Sequence, residues 1–252
     1  MRRLEIVGTP HRDRDTARMN LVIGLGEIGR PLMEALRKAH PVEGIDLPPR
    51  DVPGPIDLMH VCYPGDISDF AGETAKYVRR YKPSIVVIHS TVPVGTTRAV
   101  QATVTVPVVH SPVRGKHARM LEELFKYVKF VGGTDPDAVT QVEAHFQCAG
   151  MKTRRLSSPE ATELAKLTET TYLGLLIAFA QDVDRMARAT GVPYDDVAGF
   201  YEEIGYLPPV RYFPGVIGGH CVMANVGLLE RSFESRLLDA IKWSNELRKG
   251  EA

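Results

Sequence analysis

The sequence MNLVIGLGEIG, residues 19–29, decides the fold of the N-terminal half of this 252-residue chain. Its apolar first half is typical of a buried strand, and Gly24, Gly26 and Gly29 form the pattern G-x-G-x-x-G. The first glycine allows a tight turn, the second lets the backbone approach a pyrophosphate, and the third lets the next helix pack close to the strand. That helix then offers free N–H groups and a positive dipole end to phosphate. The stretch therefore predicts a strand–turn–helix unit that binds a dinucleotide.

A second apolar strand, residues 42–46, follows at the distance expected for this unit and ends in Asp46. An acid at this position accepts hydrogen bonds from an adenosine ribose and repels a 2′-phosphate, so NAD is favoured over NADP. The alternative is a glycine turn without a ligand. The residues expected to bind the cofactor belong to the turn, the acid and the ends of the next strands: Gly24, Leu25, Gly26, Glu27, Ile28, Gly29, Asp46, Tyr63, Pro64, Ser90, Thr91 and Val92.

Composition narrows the class of protein. The chain is 44% hydrophobic and 25% charged with zero formal net charge, which is typical of a globular protein without affinity for nucleic acid or an anionic membrane. It has no apolar run long enough to span a bilayer and no signal peptide, so we expect a cytoplasmic protein. Cys62, Cys148 and Cys221 are too few and too widely spaced for a disulfide framework or a zinc site, so no metal is expected.

Strand and helix patterns alternate from residue 20 to about residue 157. This alternation predicts an α/β fold, a Rossmann-type doubly wound parallel sheet with both faces covered, in which ligands bind at the carboxyl ends of the strands. We expect an N-terminal extension over residues 1–18, an NAD-binding domain over residues 19–157, and a helical dimerisation and substrate domain over residues 158–252.

A long helix is predicted to open the second domain. Ser158, Pro159 and Glu160 form a strong helix start, and no breaker follows before Gly191. A helix of this length, about 45 Å, is too long for one small sheet. Its middle, residues 172–180, is apolar all round, which predicts burial on every side and pairing with a second copy in a homodimer. Residues 193–203 and 225–249 are expected to be helical as well.

A glycine-rich loop carries the sharpest chemical signal. It runs from Pro214 to Cys221, and the cysteine stands at a predicted helix start, where the dipole and neighbouring His220 favour the thiolate. Such a thiolate can attack an aldehyde or hold an acyl group. The alternative is a small hydrophobic residue buried in a turn.

Four stretches together resemble the UDP-glucose/GDP-mannose 6-dehydrogenase family. They are the glycine turn with Asp46, the segment STVPVGT at residues 90–96, the segment ELAKL at residues 163–167, and the loop PGVIGGHC at residues 214–221. The resemblance covers residues 19–245 and implies oxidation of a sugar C6 alcohol, carried by a nucleotide sugar, to a carboxylate with two NAD. It further implies that Cys221 forms a thiohemiacetal and then a thioester, and that Lys166 stabilises the oxyanion.

The chain also departs from the family pattern. Thr170 stands where the family has asparagine, Val113 where it has the glutamate that assists hydrolysis, and Asn225 where it has aspartate, while Gln181-Asp182 replaces an asparagine–glutamate pair. The family's C-terminal nucleotide-binding domain is expected to be missing. The catalytic positions implied by the resemblance are Cys221, Lys166, Thr170 and Asn225. The expected substrate contacts are Arg114, Gly218, Gly219 and His220, and Arg114 belongs to a basic group with Lys116, His117 and Arg119 that can bind an anion.

Three functions stay open on these residues. The first is an NAD-dependent dehydrogenase that oxidises a sugar or related alcohol. The second is a single-step β-hydroxyacid-type dehydrogenase, because those smaller relatives share the lysine-bearing helix. The third is a catalytically inactive NAD-binding sensor or partner subunit, which the replaced acids favour.

Overall fold

The structure is a computed structural model that describes residues 18–205, 212–219 and 221–251. The predicted extension, up to residue 17, and the predicted substrate contact His220 lie outside the described residues.

Within the described residues, seven strands form one sheet in the order β2-β1-β3-β4-β5-β6-β7. The strands are β1 Met19–Ile23, β2 Val42–Ile45, β3 Ile56–Val61, β4 Ile85–Ile88, β5 Val108–His110, β6 Lys129–Gly133 and β7 Thr153–Arg155. The first five are parallel and β1 lies between β2 and β3, which is the doubly wound arrangement predicted from the sequence.

The sheet is mostly rather than wholly parallel, and this corrects the prediction. Strand β6 pairs antiparallel with β5, with Val109 opposite Gly133 and His110 opposite Gly132. The connection between them contains a 3₁₀ turn and one helix of seven residues, Met120–Lys126, which spans about 10 Å. The chain therefore enters β6 from the edge at which β5 ends. Strand β7 then runs parallel to β6.

Both faces of the sheet are covered, as the apolar strands predict. Successive residues of β1 point to opposite faces, so that Val22 joins one core with Leu32 while Leu21 and Ile23 join the other with Val78. The helices that cover these faces are α1 Gly29–Leu36, α2 Phe70–Tyr81, α3 Thr96–Gln101, α4 Met120–Lys126 and α5 Pro136–Cys148.

The predicted long helix is confirmed as α6, Pro159–Thr190, which has 32 residues. The Ser158 side chain caps it by accepting a hydrogen bond from the Ala161 N–H, and Gly191 ends it at a positive φ of 74°. The helices that follow are α7 Tyr194–Glu202, α8 Val222–Glu230 and α9 Arg236–Glu251. The single helix predicted over residues 225–249 is wrong, because residues 231–235 separate α8 from α9.

A third core joins α6 to α8 and α9 through residues that include Leu167, Val226 and Ile241. Gly174 allows the close contact, because a Cβ at that position would lie 2.6 Å from Val222 Cγ1. In the single chain, α8 and α9 cover one side of α6, while Tyr172 and Phe179 stay 52% and 50% exposed. The burial expected on every side of α6 therefore stays a prediction that depends on the second copy.

One buried carboxylate ties α6 to the sheet. Glu163 Oε1 accepts hydrogen bonds from the Thr97 N–H (2.8 Å) and Thr97 hydroxyl (2.6 Å), and Oε2 accepts one from the Gly95 N–H (2.6 Å). The long helix is therefore fixed to the loop that follows β4. None of the helices in the described ranges has the length and apolar character needed to cross a membrane.

Candidate active site

A crevice of about 1280 Å³ lies between the carboxyl edge of the sheet and the helices that follow it. The glycine turn, Asp46 and the ends of β3 and β4 line one wall, and Lys166, Cys221 and Asn225 line the other. Ligands of open α/β sheets bind at this edge. The crevice is therefore the candidate active site.

The glycine turn fits a dinucleotide pyrophosphate. A Cβ on Gly29 would lie 1.8 Å from Gly24 O, so the third glycine is needed for the close approach of α1 to β1. Gly24 has a positive φ of 88°, and a Cβ there would meet Tyr63 N at 2.8 Å. Around Gly26 the described structure leaves open space, where a phosphate can approach the backbone.

Asp46 lies at the end of β2 on the same side as the turn. Its carboxylate accepts hydrogen bonds from the N–H groups of Leu25 (3.3 Å) and Leu47 (3.1 Å). These bonds hold the exposed carboxylate at the crevice, where it can still accept from ribose hydroxyls.

The remaining predicted cofactor contacts divide into two groups. Tyr63, Pro64, Ser90 and Thr91 line the crevice, as do Glu27 and Ile28 of the turn. Val92 is instead 1% exposed and packs in the core, and the Leu25 side chain packs against the core on the other face of the sheet. Neither of these two residues lines the crevice.

Cys221 stands at the N-cap of α8, and polar side chains hold the loop that leads to it. Asn245 accepts from the Ile217 N–H (2.7 Å) and donates to Ile217 O (3.2 Å), while Gln181 donates to Gly215 O (2.7 Å). Gln181 was noted in the sequence as a departure from the family. In the structure it is fully buried and supports the cysteine loop.

One side chain distant in sequence contacts Cys221, and a second contacts the first. Its Sγ lies 3.9 Å from His117 Nε2, and His117 Nδ1 lies 2.7 Å from Glu27 Oε2 in the glycine turn. The sequence did not predict this arrangement, which we call the Cys221–His117–Glu27 relay, because the three residues come from three separate loops. His117 was expected to bind an anion with its basic neighbours.

Lys166 reaches the crevice from the first turns of α6. Burial lowers the pKa of its ammonium, while nearby Glu169 and Cys221 act in the opposite direction. Its Nζ lies 3.8 Å from Glu169 Oε2. A partly desolvated cation next to a thiol is suited to stabilise negative charge that develops on a substrate oxygen.

Of the other predicted site residues, some line the crevice and some do not. Asn225 lines the crevice one turn after Cys221, and Gly219 lines it as well. Thr170 is buried and its hydroxyl donates to Lys166 O in its own helix. Arg114 lines a smaller cavity next to Lys166 and approaches Glu169, with 3.5 Å between Nη2 and Oε1. Gly218 is exposed and belongs to the loop without lining the crevice.

A buried cluster of basic groups lies behind the crevice and was not predicted. Lys129 Nζ donates to Ser111 O (2.7 Å) and lies 3.1 Å from His89 Nδ1, and His60 Nδ1 lies 3.0 Å from His89 Nε2. Burial lowers the pKa of Lys129 to about 7 and the pKa of His110 to about 3. His89 also lines the crevice.

Among the described residues, no group of three or more potential ligands is arranged to hold a metal ion.

The mostly parallel sheet, the glycine turn at its carboxyl edge and the long helix that follows define a Rossmann-type α/β protein with a helical extension. Residues 160–247 match the family described as UDP-glucose/GDP-mannose dehydrogenase, central domain. This match confirms the resemblance to that family predicted from the motifs.

Two further comparisons cover more of the chain. The chain is 24% identical over 214 residues to UDP-N-acetyl-D-mannosamine dehydrogenase of Methanocaldococcus jannaschii, a match covering 77% of this chain and 49% of that protein. The chain thus spans about half the length of this curated relative. The solved UDP-D-ManNAc dehydrogenase of Pyrococcus horikoshii superposes with a TM-score of 0.81 at 20% identity, over 92% of this chain and 69% of that one.

The same fold occurs in a smaller enzyme. The 3-hydroxyisobutyrate dehydrogenase of Mycobacterium tuberculosis superposes with a TM-score of 0.70 at 16% identity and covers 94% of both chains. At this identity the likeness concerns the fold.

Proposed function

We propose that this protein is an NAD-dependent dehydrogenase that oxidises an alcohol of a sugar or nucleotide sugar, with Cys221 as the covalent nucleophile. One observation carries the proposal: a single crevice brings together the glycine turn, Asp46 and the pair Cys221–Lys166. These are the parts needed to hold a dinucleotide and to act on an aldehyde beside it.

The cofactor is held by the backbone of the turn around Gly26 and by Asp46. Gly26 lets the main chain approach the pyrophosphate, and the N-terminus of α1 faces it. Asp46 accepts the ribose hydroxyls and repels a 2′-phosphate. NAD, when bound, supplies the hydride acceptor.

The opposite wall acts on the substrate. Lys166 stabilises the oxygen that becomes negative when the Cys221 sulfur adds to an aldehyde carbon. Cys221 makes this attack from the N-terminal end of α8. Gln181 and Asn245 keep the loop before Cys221 in place.

The names of the relatives point to the substrate class. The first candidate is a UDP-linked N-acetyl sugar, since the curated match and the solved structure both carry the name of a UDP-N-acetylmannosamine dehydrogenase. We assign substrate binding to the crevice between a domain of residues 19–157 and a helical domain of residues 158–252, in a homodimer formed through α6.

A second candidate is a single hydride transfer of the β-hydroxyacid type. Two observations favour it: Val113 and Asn225 replace the family's acids, and the 3-hydroxyisobutyrate dehydrogenase covers 94% of this chain with 94% of its own. Lys166 serves this chemistry as well, whereas Cys221 has no role in it.

The test mixes the protein with NAD and a panel of nucleotide sugars, sugar phosphates and hydroxy acids, and follows NADH absorbance. NADH formed with a nucleotide sugar supports the first proposal. NADH formed with hydroxy acids alone supports the second. Silence across the panel, with NAD still raising the melting temperature, indicates an NAD-binding protein without catalysis, and silence without NAD binding overturns all three.

A further inference from the structure

We propose that His117 is the base that removes the proton from Cys221 in this active site, and that Glu27 positions it. The inference rests on the proposed function and adds two residues to it. It arises from a line of three side chains: Cys221 Sγ to His117 Nε2 at 3.9 Å, and His117 Nδ1 to Glu27 Oε2 at 2.7 Å.

The carboxylate of Glu27 determines the direction of proton transfer. An ionised carboxylate accepts hydrogen bonds and does not donate them, so His117 Nδ1 must carry the hydrogen that lies between them. In a neutral ring, Nε2 then has the free lone pair, and this is the nitrogen that faces Cys221 Sγ. The arrangement of nucleophile, base and orienting acid is that of a catalytic triad.

His117 also supplies a proton acceptor, which the residues that replace the family's acids do not. Val113 and Asn225 line the same crevice, and neither side chain can accept a proton in water. His117 is 33% exposed, so it can exchange its proton with solvent between steps. His89 and the carboxylates of Asp46 and Glu73 also line the crevice, but among the described residues it is His117 whose ring nitrogen lies within hydrogen-bond reach of the sulfur.

The proton balance closes over two steps on Cys221. In the first, the S–H bond breaks, His117 Nε2 takes the proton, and a C–S bond forms at the aldehyde carbon while the oxygen becomes negative near Lys166. When bound, NAD would accept the hydride that this adduct loses as it becomes a thioester, and His117 releases its proton to solvent.

In the second step, His117 removes a proton from water as the water oxygen adds to the thioester carbon. The C–S bond then breaks, the sulfur recovers the proton from His117, and the carboxylic acid leaves. Glu27 keeps Nε2 directed at the sulfur in both steps and compensates the positive charge on the ring.

The first readout does not require turnover. Alkylation of the protein by iodoacetamide at pH 7, followed at the Cys221 peptide by mass spectrometry, measures how readily the sulfur reacts. Exposed Cys148 serves as an internal reference in the same molecule. We expect His117→Gln to slow Cys221 alkylation about tenfold and Glu27→Gln about threefold, with Cys148 unchanged.

The matched control is Glu122→Gln, which changes an exposed carboxylate in α4 that does not line the crevice and should leave both cysteines unaffected. Equal Cys221 rates in the wild-type protein, His117→Gln and Glu27→Gln overturn the inference. Circular dichroism and melting temperature establish that each variant is folded, and Glu27→Gln provides an independent test of the relay if His117→Gln is not.

The second readout uses the aldehyde of whichever substrate gives NADH. His117→Gln should lower kcat for aldehyde oxidation about 100-fold with KM little changed, because a general base contributes to the transition state. Glu27→Gln should show a smaller loss of kcat, with NAD affinity measured separately by calorimetry because Glu27 also lies in the cofactor turn. Equal kcat values in the wild-type protein and the variants would refute the role of His117 and leave the proposed dehydrogenase function intact. Slowed alkylation of Cys221, with no NADH formed on any substrate, would support the role of His117 and refute the proposed function.

Discussion

Lys129 is 4% exposed, although lysine is rarely buried in proteins. Burial lowers its pKa to about 7, and its Nζ contacts Ser111 O and His89 Nδ1. The residue links β6 to the end of β5, so it supports the antiparallel pairing that the sequence pattern did not predict.

This pKa predicts how stability depends on pH. Lys129 titrates near pH 7 in the folded protein and near pH 10.4 in the unfolded chain, so between these values the unfolded state binds more protons. The free energy of unfolding should therefore rise above about pH 7, with a slope of up to about 1.4 kcal/mol per pH unit. Above about pH 8.5 the buried Cys62 thiol, whose pKa burial raises to about 12, opposes this rise, because the unfolded chain loses that proton and the folded state keeps it.

Buried His110 and His145, each with a pKa lowered to about 3 by burial, act in the same direction at lower pH. Their stabilisation is lost as the pH falls below about 6.5, because the unfolded chain then binds protons that the folded state excludes. Urea titrations at several pH values measure both effects. Lys129→Met should remove the slope above pH 7, and exposed Lys152→Met should keep it; an unchanged slope in Lys129→Met would show that Lys129 is not its source.

The loop after β4 and the long helix α6 are fixed to one another by the buried carboxylate of Glu163. Replacing it removes the acceptor for two backbone N–H groups and one hydroxyl in a dry environment. We expect Glu163→Ala to lower the free energy of unfolding by about 2–4 kcal/mol.

Glu160, one turn earlier on α6, is the control. It forms an ion pair with Arg98 at the surface, and such pairs contribute less than about 1 kcal/mol. Urea denaturation of Glu160→Ala and Glu163→Ala should therefore give clearly different midpoints. Equal losses would mean that the Glu163 hydrogen bonds do not hold the two elements together.

Most elements could be predicted because each one carries a local signal. Apolar runs that alternate with helical stretches, together with the glycine turn, predict the parallel strands. Ser158, Pro159 and Gly191 predict both ends of α6. Strand β6 could be predicted, but its antiparallel direction could not, because that direction depends on the edge of the sheet from which the short connection after β5 returns. The break between α8 and α9 was missed as well, since residues 231–235 contain no proline or glycine.

The parts of the site that could be predicted are those that belong to sequence motifs. The glycine turn, Asp46, Lys166 and Cys221 each belong to a recognisable motif, and the structure brings them to one crevice. The partner of Cys221 belongs to no motif. His117 meets it through a contact between residues 104 positions apart, which follows from the tertiary fold alone.

A line of exposed residues on α6 supports the proposed pairing of two copies of the chain. Ala165, Tyr172, Phe179 and Met186 recur every seven residues and are exposed, with Met186 at 66%. We call this line the α6 seam. A seven-residue apolar repeat is the pattern by which two helices pack side by side, so it supports the proposed homodimer.

A charge placed on the seam tests this assembly. Phe179→Glu should convert a dimer to a monomer in light scattering, because an unpaired carboxylate would be buried in the interface. Leu47→Glu, which changes an exposed apolar residue at the sheet edge, should remain dimeric. A wild-type protein that is monomeric at high concentration would exclude the homodimer.

The most direct test of the proposed chemistry counts NADH released for each molecule of alcohol consumed, in the wild-type protein and in Cys221→Ser. Two NADH per alcohol and a carboxylate product are expected from the wild type, and one NADH with accumulating aldehyde from Cys221→Ser. One NADH per alcohol in both proteins, with no carboxylate, would mean that Cys221 forms no covalent intermediate and that the crevice carries a single hydride transfer.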